Sequence, residues 1–130
     1  MKKLIIFLML ISTYAYSQPT KYRTTGISTL TPPSTTYSEW QPCSLLVVHN
    51  KQRVTVYSET TQTYDILSST EEYKDADGYD TIDFTAINED GIRVECNFTH
   101  LVKTDPKVDE VHLYIRLPTF TICYALSDIE

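Results

Sequence analysis

The sequence predicts an all-β protein: a single small antiparallel barrel or sandwich of about eight strands, wound as a lipocalin-like meander. Three observations carry that prediction. Short stretches rich in Val, Ile, Thr and Tyr alternate apolar and polar residues at period two, the mark of a strand with one buried face. Polar turn segments separate these stretches, so that successive strands can pair as hairpins. Nowhere do apolar residues recur at i, i+3, i+4 and i+7 over a helical length.

The N-terminus comes first. Lys2 and Lys3 precede an unbroken apolar run of eight residues, 4–11, and Ala15 and Ser17 place small residues just ahead of Gln18. This is the layout of a secretory signal peptide. A run of eight is far short of the roughly 20 residues that a membrane-spanning helix needs. Residues 1–17 are therefore expected to be a signal peptide, and residues 18–130 a single all-β domain that is secreted or periplasmic. Of the 130 residues, 17 would leave and 113 remain; Lys2 and Lys3 would go, leaving 9 of the 11 Lys and Arg against 17 Asp and Glu, a formal charge of −8. That is enough chain for one hydrophobic core. An acidic chain without a Lys/Arg cluster lacks the footprint of a nucleic-acid binder and the basic patch that would hold it on an anionic membrane. No second apolar run approaches spanning length, so no membrane span is expected.

Residues 18–38 form a Ser/Thr/Pro-rich lead-in. Within it, residues 21–30 are dense in Thr, Tyr and Ile and read as a first strand, placed at a sheet edge and ended by Pro32-Pro33. Trp40 is expected as a lid on the core. Residues 45–48 and 53–57 read as a hairpin around Asn50, Lys51 and Gln52, and residues 63–67 as the next strand. A longer acidic loop covers residues 68–79. Residues 81–88 and 92–101 flank Glu89-Asp90-Gly91, where Gly91 can take the positive φ that a hairpin loop requires. In the second of these strands Ile92, Val94, Cys96 and Phe98 share one face, and Arg93, Glu95, Asn97 and Thr99 the other. Residues 103–110 read as a polar turn containing Pro106. Val111, Leu113, Ile115 and Leu117 then alternate with His112, Tyr114 and Arg116. After a tight turn at Pro118-Thr119, Phe120, Ile122, Tyr124 and Leu126 alternate with Thr121, Cys123 and Ala125. Strands with one apolar face must curl until those faces meet. Eight suffice to close a barrel that is filled by side chains or holds one small ligand, and a two-sheet sandwich fits the same pattern.

Chemistry is less legible. The sequence has no Gly-x-Ser-x-Gly elbow, phosphate-binding glycine loop or His-Glu-x-x-His pair. Cys96 could be matched with His100 or His112 as nucleophile and base, but it falls on an apolar strand face, where a thiol is usually packing. His49 falls at a hairpin turn. The three cysteines, Cys43, Cys96 and Cys123, permit at most one disulfide. Cys96 and Cys123 lie on opposite faces by parity, which disfavours a bond between them. Glu71, Glu72, Asp75, Asp77, Asp80 and Asp83 crowd an acidic segment, and Asp75, Asp77 and Asp80 around Gly78 could offer oxygen ligands to calcium. The plainer alternative is a solvated turn. Asn97-Phe98-Thr99 matches a glycosylation triplet but lies mid-strand.

Tyrosine is the other enrichment. Tyr57 and Tyr114 point away from the apolar faces of their strands, as do His112 and Arg116. Aromatics with polar tips suit contact with a protein or glycan surface. The segments Ala15-Tyr16-Ser17-Gln18, Arg53-Val54-Thr55-Val56-Tyr57-Ser58 and Thr63-Tyr64-Asp65-Ile66, together with Trp40, resemble small secreted β proteins of Bacteroidota-type bacteria. That resemblance brings no catalytic residues with it. The sequence thus leads to an exported, non-enzymatic binding domain with its surface at Tyr57, His112, Tyr114 and Arg116, and no cofactor beyond a candidate calcium. A lipocalin-like carrier of a small ligand is the alternative, and a hydrolase is disfavoured. The predicted inward residues, mostly Val, Ile, Leu and Phe, favour a filled interior.

Overall fold

The computed structural model describes residues 19–104 and 106–128; the expected signal peptide lies outside the described residues. The described residues form ten strands: β1 (Thr20–Leu30), β2 (Gln41–Pro42), β3 (Leu46–His49), β4 (Arg53–Tyr57), β5 (Gln62–Ser69), β6 (Tyr73–Lys74), β7 (Asp80–Asn88), β8 (Arg93–Thr104), β9 (Lys107–Arg116) and β10 (Thr121–Asp128). There is no helix among the described residues. Eight strands run β1-β3-β4-β5-β7-β8-β9-β10, and β10 pairs back onto β1, so the sheet closes into an antiparallel barrel. The two short strands are additions, β2 on β1 and β6 on β7. Closure decides between the two architectures the sequence allowed, in favour of the barrel.

β1 is the closing strand. It pairs with β10 from Tyr22↔Asp128 to Leu30↔Thr121, and on its other side with β3 and then β2. The expected edge position is therefore overturned. A closed barrel leaves no row of unpaired backbone groups, so a strand that closes it is held on both sides. A bulge between Thr24 and Gly26 lets β1 bridge the gap between its two partners. There Thr24 N donates to the Leu45 carbonyl at 2.9 Å, and Leu45 N donates to Thr24 Oγ1 at 2.7 Å.

The interior is packed. Val47, Val54, Val56, Val94, Leu113 and Ile115 are at most 1% exposed. The inward sets read from strand parity hold on β8 for Val94 and Cys96 in the core cluster with Phe98 packed against it, and on β9 for Leu113 and Ile115 in the cluster with Val111 packed against it. Ile92 departs from its set and is 40% exposed. It precedes the β8 ladder, in a turn where its N–H donates to Asn88 Oδ1, so strand alternation does not govern it. The polar turn expected at residues 103–110 is not found over that span, because β8 and β9 stay paired as far as Thr104↔Lys107. Charge there marks an arm wet on both faces, not a reversal of the chain.

His49 also departs from expectation. It ends β3 facing inward, with its ring 4.7 Å from Phe98 and 6.4 Å from Phe84. Tyr22 of β1 stacks on Phe98 from 6.2 Å. These four rings join β1 and β3 to β7 and β8 across the barrel. Elsewhere in the interior Tyr64 Oη donates to Gln62 Oε1 at 2.7 Å, giving that phenol its polar partner. The connections share one device: the side-chain oxygens of Asn50, Asn88 and Asp75 each accept two backbone N–H groups just downstream. Gly91, at φ +78°, supplies the left-handed residue of the β7–β8 turn.

Burial among aromatic rings holds His49 below its ordinary value of 6.5. The unfolded chain, with the ordinary value, binds the proton first as pH falls. Native stability is therefore complete above about pH 6.5 and declines as pH drops toward the lowered folded value. Replacing His49 with Gln removes this site from the linkage. Unfolding free energies measured by chemical denaturation across this window should slope less steeply in His49→Gln than in the wild type, whatever the constant offset from lost packing. Equal slopes would contradict the buried placement.

Candidate functional site: a cleft on the outer face

The barrel wall over β7, β8 and β9 carries a cleft of about 610 Å³ on its outer side. Its floor is polar and yet buried: Thr81, Asn97 and Thr99 are 4–6% exposed. All three point outward by strand parity, and the cover comes from the segment carrying β6 and from Arg116. Buried polar side chains need partners, and here they form a chain with a fixed direction. Arg116 Nη1 donates to Asn97 Oδ1 at 2.6 Å, which orients the amide, because a guanidinium can only donate. Asn97 Nδ2 then donates to Thr99 Oγ1 at 2.8 Å. The Thr99 hydroxyl lies 3.3 Å from Thr81 Oγ1, which donates to the Tyr79 carbonyl. Four side chains from three strands thus hold one another in place and anchor the end of the acidic loop. The same engagement of both ends of the Asn97 amide, beneath its cover, makes the Asn97-Phe98-Thr99 triplet a structural element of the floor.

The walls differ. On one side Tyr73, Asp75, Asp77 and Tyr79 come from the acidic loop, and the Tyr73 hydroxyl donates to Asp83 Oδ2 at 2.6 Å. That hydrogen bond raises the Tyr73 pKa, with burial and the negative charge of Asp83 adding to it. On the other side the Arg116 guanidinium lies 5.4 Å from the centre of the Tyr114 ring. Burial raises the Tyr114 hydroxyl well above its ordinary range, with the Cys123 thiol beside it adding to the effect, so this phenol stays protonated. Formally the lining carries Asp75, Asp77, Asp83 and Glu95 against Arg116, so its field favours neutral or cationic groups over anions.

A second, smaller cleft of about 220 Å³ lies farther along the outer face, between Trp40, His112, Glu110 and Gly26. The segment between β1 and β2 doubles back over β1 as a strap. Ser38 pins it, with its N–H donating to the Thr29 carbonyl at 2.7 Å and its carbonyl accepting from Ser28 Oγ at 2.7 Å. The strap lays Trp40 over Gly26, where a Cβ would come within 3.2 Å of the indole. Trp40 thus caps the outer wall and not the core, correcting the lid expected from the sequence. It remains 49% exposed. Its ring is 5.3 Å from His112, and Tyr37 meets Tyr114 edge-on at 6.2 Å.

The structure therefore brings together three of the four binding residues expected from the sequence. Tyr114 and Arg116 line the larger cleft and His112 the smaller one. Tyr57 does not join them. It is exposed on β4, three strands away from β8 by way of β5 and β7. The expected calcium ligands do not converge either. Asp75 Oδ1 is engaged with the backbone N–H groups of Asp77 and Tyr79, and Asp80 is paired with Lys74 Nζ at 2.8 Å. The hydrogen bond from Lys74 draws the Asp80 carboxyl below its ordinary value. Among the described residues no three His, Cys, Asp or Glu side chains are grouped to hold a metal ion. In this arrangement Asp75 is a turn acceptor and Asp80 an ion-pair partner. Thr81, Asn97, Thr99, Tyr37, Trp40 and Tyr73 were not singled out as site residues; parity placed Asn97 and Thr99 on the outer face, but their cover comes from distant segments. Comparison with protein-family models, curated proteins and solved structures finds no match for this chain, so the site is read from its own chemistry.

Cys96 faces the core and Cys123 pairs across from Tyr114 on the outer face, so the barrel wall separates them. All three cysteines are free thiols. Burial pushes the Cys96 and Cys123 thiols up to about 12, which leaves almost no thiolate at neutral pH. Cys43 is only half-buried. Timed alkylation of the native protein, read by peptide mass mapping, should modify Cys43 at least about tenfold faster than either of the others. Faster reaction at Cys96 or Cys123 would contradict their placement.

Proposed function

We propose that this chain is an exported, non-enzymatic binding domain that recognises a polar partner, a protein or glycan surface, through the cleft on the outer face of β7–β9. It acts outside the cytoplasm, after removal of residues 1–17. The observation that carries this reading is the buried, hydrogen-bonded floor of Thr81, Asn97 and Thr99, tied to the exposed Arg116, beneath a cleft of about 610 Å³. A polar network held this firmly on the outside of a barrel is preorganised, and preorganisation lowers the cost of binding. The packed interior supports surface recognition over the lipocalin-like alternative, because the volume such a carrier would use is filled by Val54, Val56, Leu113 and Ile115. The Cys96 and Cys123 thiols are held protonated, and His49 is enclosed by phenylalanine rings, which supports a role in binding rather than nucleophilic chemistry.

Glycan and peptide arrays probed with the exported protein test this reading. At least one probe should bind, and Arg116→Ala should weaken it by about tenfold or more, the loss expected for a hydrogen bond from a charged group. Leu67→Ala, on the exposed bulge of β5, should bind like the wild type. Absence of any bound probe, indifference to Arg116→Ala, or cleavage of a bound probe into shorter products would contradict the proposal.

A further inference from the structure

We propose that the two outer-face clefts form one track for an uncharged oligosaccharide, with Trp40 and Tyr37 of the strap as stacking platforms and Arg116 with Asp83 and Glu95 as the hydroxyl-reading groups. This rests on the binding reading above and names the ligand class for the same surface.

Continuity comes from β9. His112, Tyr114 and Arg116 are successive outward residues, spanning roughly 13 Å along the strand. Tyr114 links the two clefts, with its ring centre 5.4 Å from the Arg116 guanidinium and 6.3 Å from the His112 ring. His112 in turn meets Trp40. A ligand lying along this line touches both clefts, and its length favours an oligosaccharide over a single sugar.

Three chemical features favour an uncharged glycan. First, large rings stay open to solvent along the track: Tyr37 is 42% exposed, Trp40 49% and Tyr73 42%. Aromatic area left exposed while the rings are fixed from below offers flat apolar faces, suited to the C–H faces of sugar rings. Trp40 is fixed by Gly26 and His112, and Tyr37 by Tyr114. Second, the polar groups are of both kinds. Arg116 only donates, and the ionised carboxylates of Asp83 and Glu95 only accept. A sugar hydroxyl does both, so neighbouring hydroxyls of one ring can satisfy the two kinds at once. Third, the excess of carboxylates repels uronate, sulfate and sialate groups. A basic peptide would be drawn to those carboxylates, but its cations would share the cleft with Arg116. Charge thus excludes polyanions, and the exposed aromatic platforms with their paired donors and acceptors favour a neutral glycan over a basic peptide.

The chain carries a single tryptophan, Trp40, so intrinsic fluorescence reads the proposed platform directly. The full exported protein is titrated with neutral oligosaccharides, acidic oligosaccharides and basic peptides chosen from array binders. Neutral oligosaccharides should shift or quench the Trp40 emission, with an affinity nearly constant from low to high salt. Isothermal titration should show Trp40→Ala and Arg116→Gln each weakening the same oligosaccharide by about tenfold or more. The strap is held independently by Ser38, so the Trp40 variant should still unfold in a single cooperative transition, which separates lost stacking from a lost fold, and Leu67→Ala should keep wild-type affinity. Preference for acidic oligosaccharides would overturn the inference, as would salt-sensitive binding of basic peptides alone. Neutral-glycan binding untouched by Trp40→Ala would overturn it as well. Arg116-dependent peptide binding would overturn this inference and leave the binding reading standing, whereas no binder of any class overturns both.

Discussion

The pairing of β1 with β10 is the constraint on which the rest of the structure depends. It joins residues about a hundred positions apart in the chain, so its closure entropy is large and has to be offset by what closure buries. Closure removes both sheet edges and turns every inward side chain toward a common axis. The stack of Tyr22, His49, Phe84 and Phe98 forms only because β1 and β3 are brought opposite β7 and β8. The bulge at Thr24 and the divided partner strand, β3 followed by β2, are the local adjustments that let one strand serve two neighbours.

A filled, closed barrel leaves only its outer surface and its loops for recognition. The strap between β1 and β2 folds back onto that surface, and the acidic segment carrying β6 runs beside β7 on the edge that β5 leaves, with Tyr73 and Tyr79 lining the outer cleft. Each converts part of an outward strand face into buried polar or aromatic structure. Cys123, Thr81, Asn97 and Thr99 are buried in this second layer, and the core does not extend to them. The relay from Arg116 to the Tyr79 carbonyl ties the acidic segment to the wall, just as Ser38 ties the strap. The cleft lies where these two covers leave a gap, so its shape depends on both being in place.

Much of the barrel was legible in the sequence because period-two alternation is a local property. The inward faces of β8, β9 and β10 could be read from Val94, Leu113 and Ile122 without knowledge of their neighbours. Closure itself was not legible. The polar composition of residues 18–38 pointed to an edge, and only the non-local partner β10 makes β1 a closing strand. His49 misled for a related reason: its polarity suggested a turn, whereas the aromatic rings that accept it come from strands far along the chain. Of the site, the outward directions of His112, Tyr114 and Arg116 could be read from parity. The burial of Asn97 and Thr99, the exclusion of Tyr57 and the position of Trp40 on the outer wall depend on how loops return to the surface, which no local pattern encodes.

Hydrogen exchange of the native protein measures closure most directly. Amides of β1 and β10 that pair with each other, among them those of residues 26–30 and 121–125, should be protected to the same degree as those at the centre of the β8–β9 hairpin, because a closed barrel opens as a unit. If β1 amides exchange freely while β8 and β9 remain protected, the sheet is open at β1, the interior is not sealed, and the account of the outer face built on that closure fails with it.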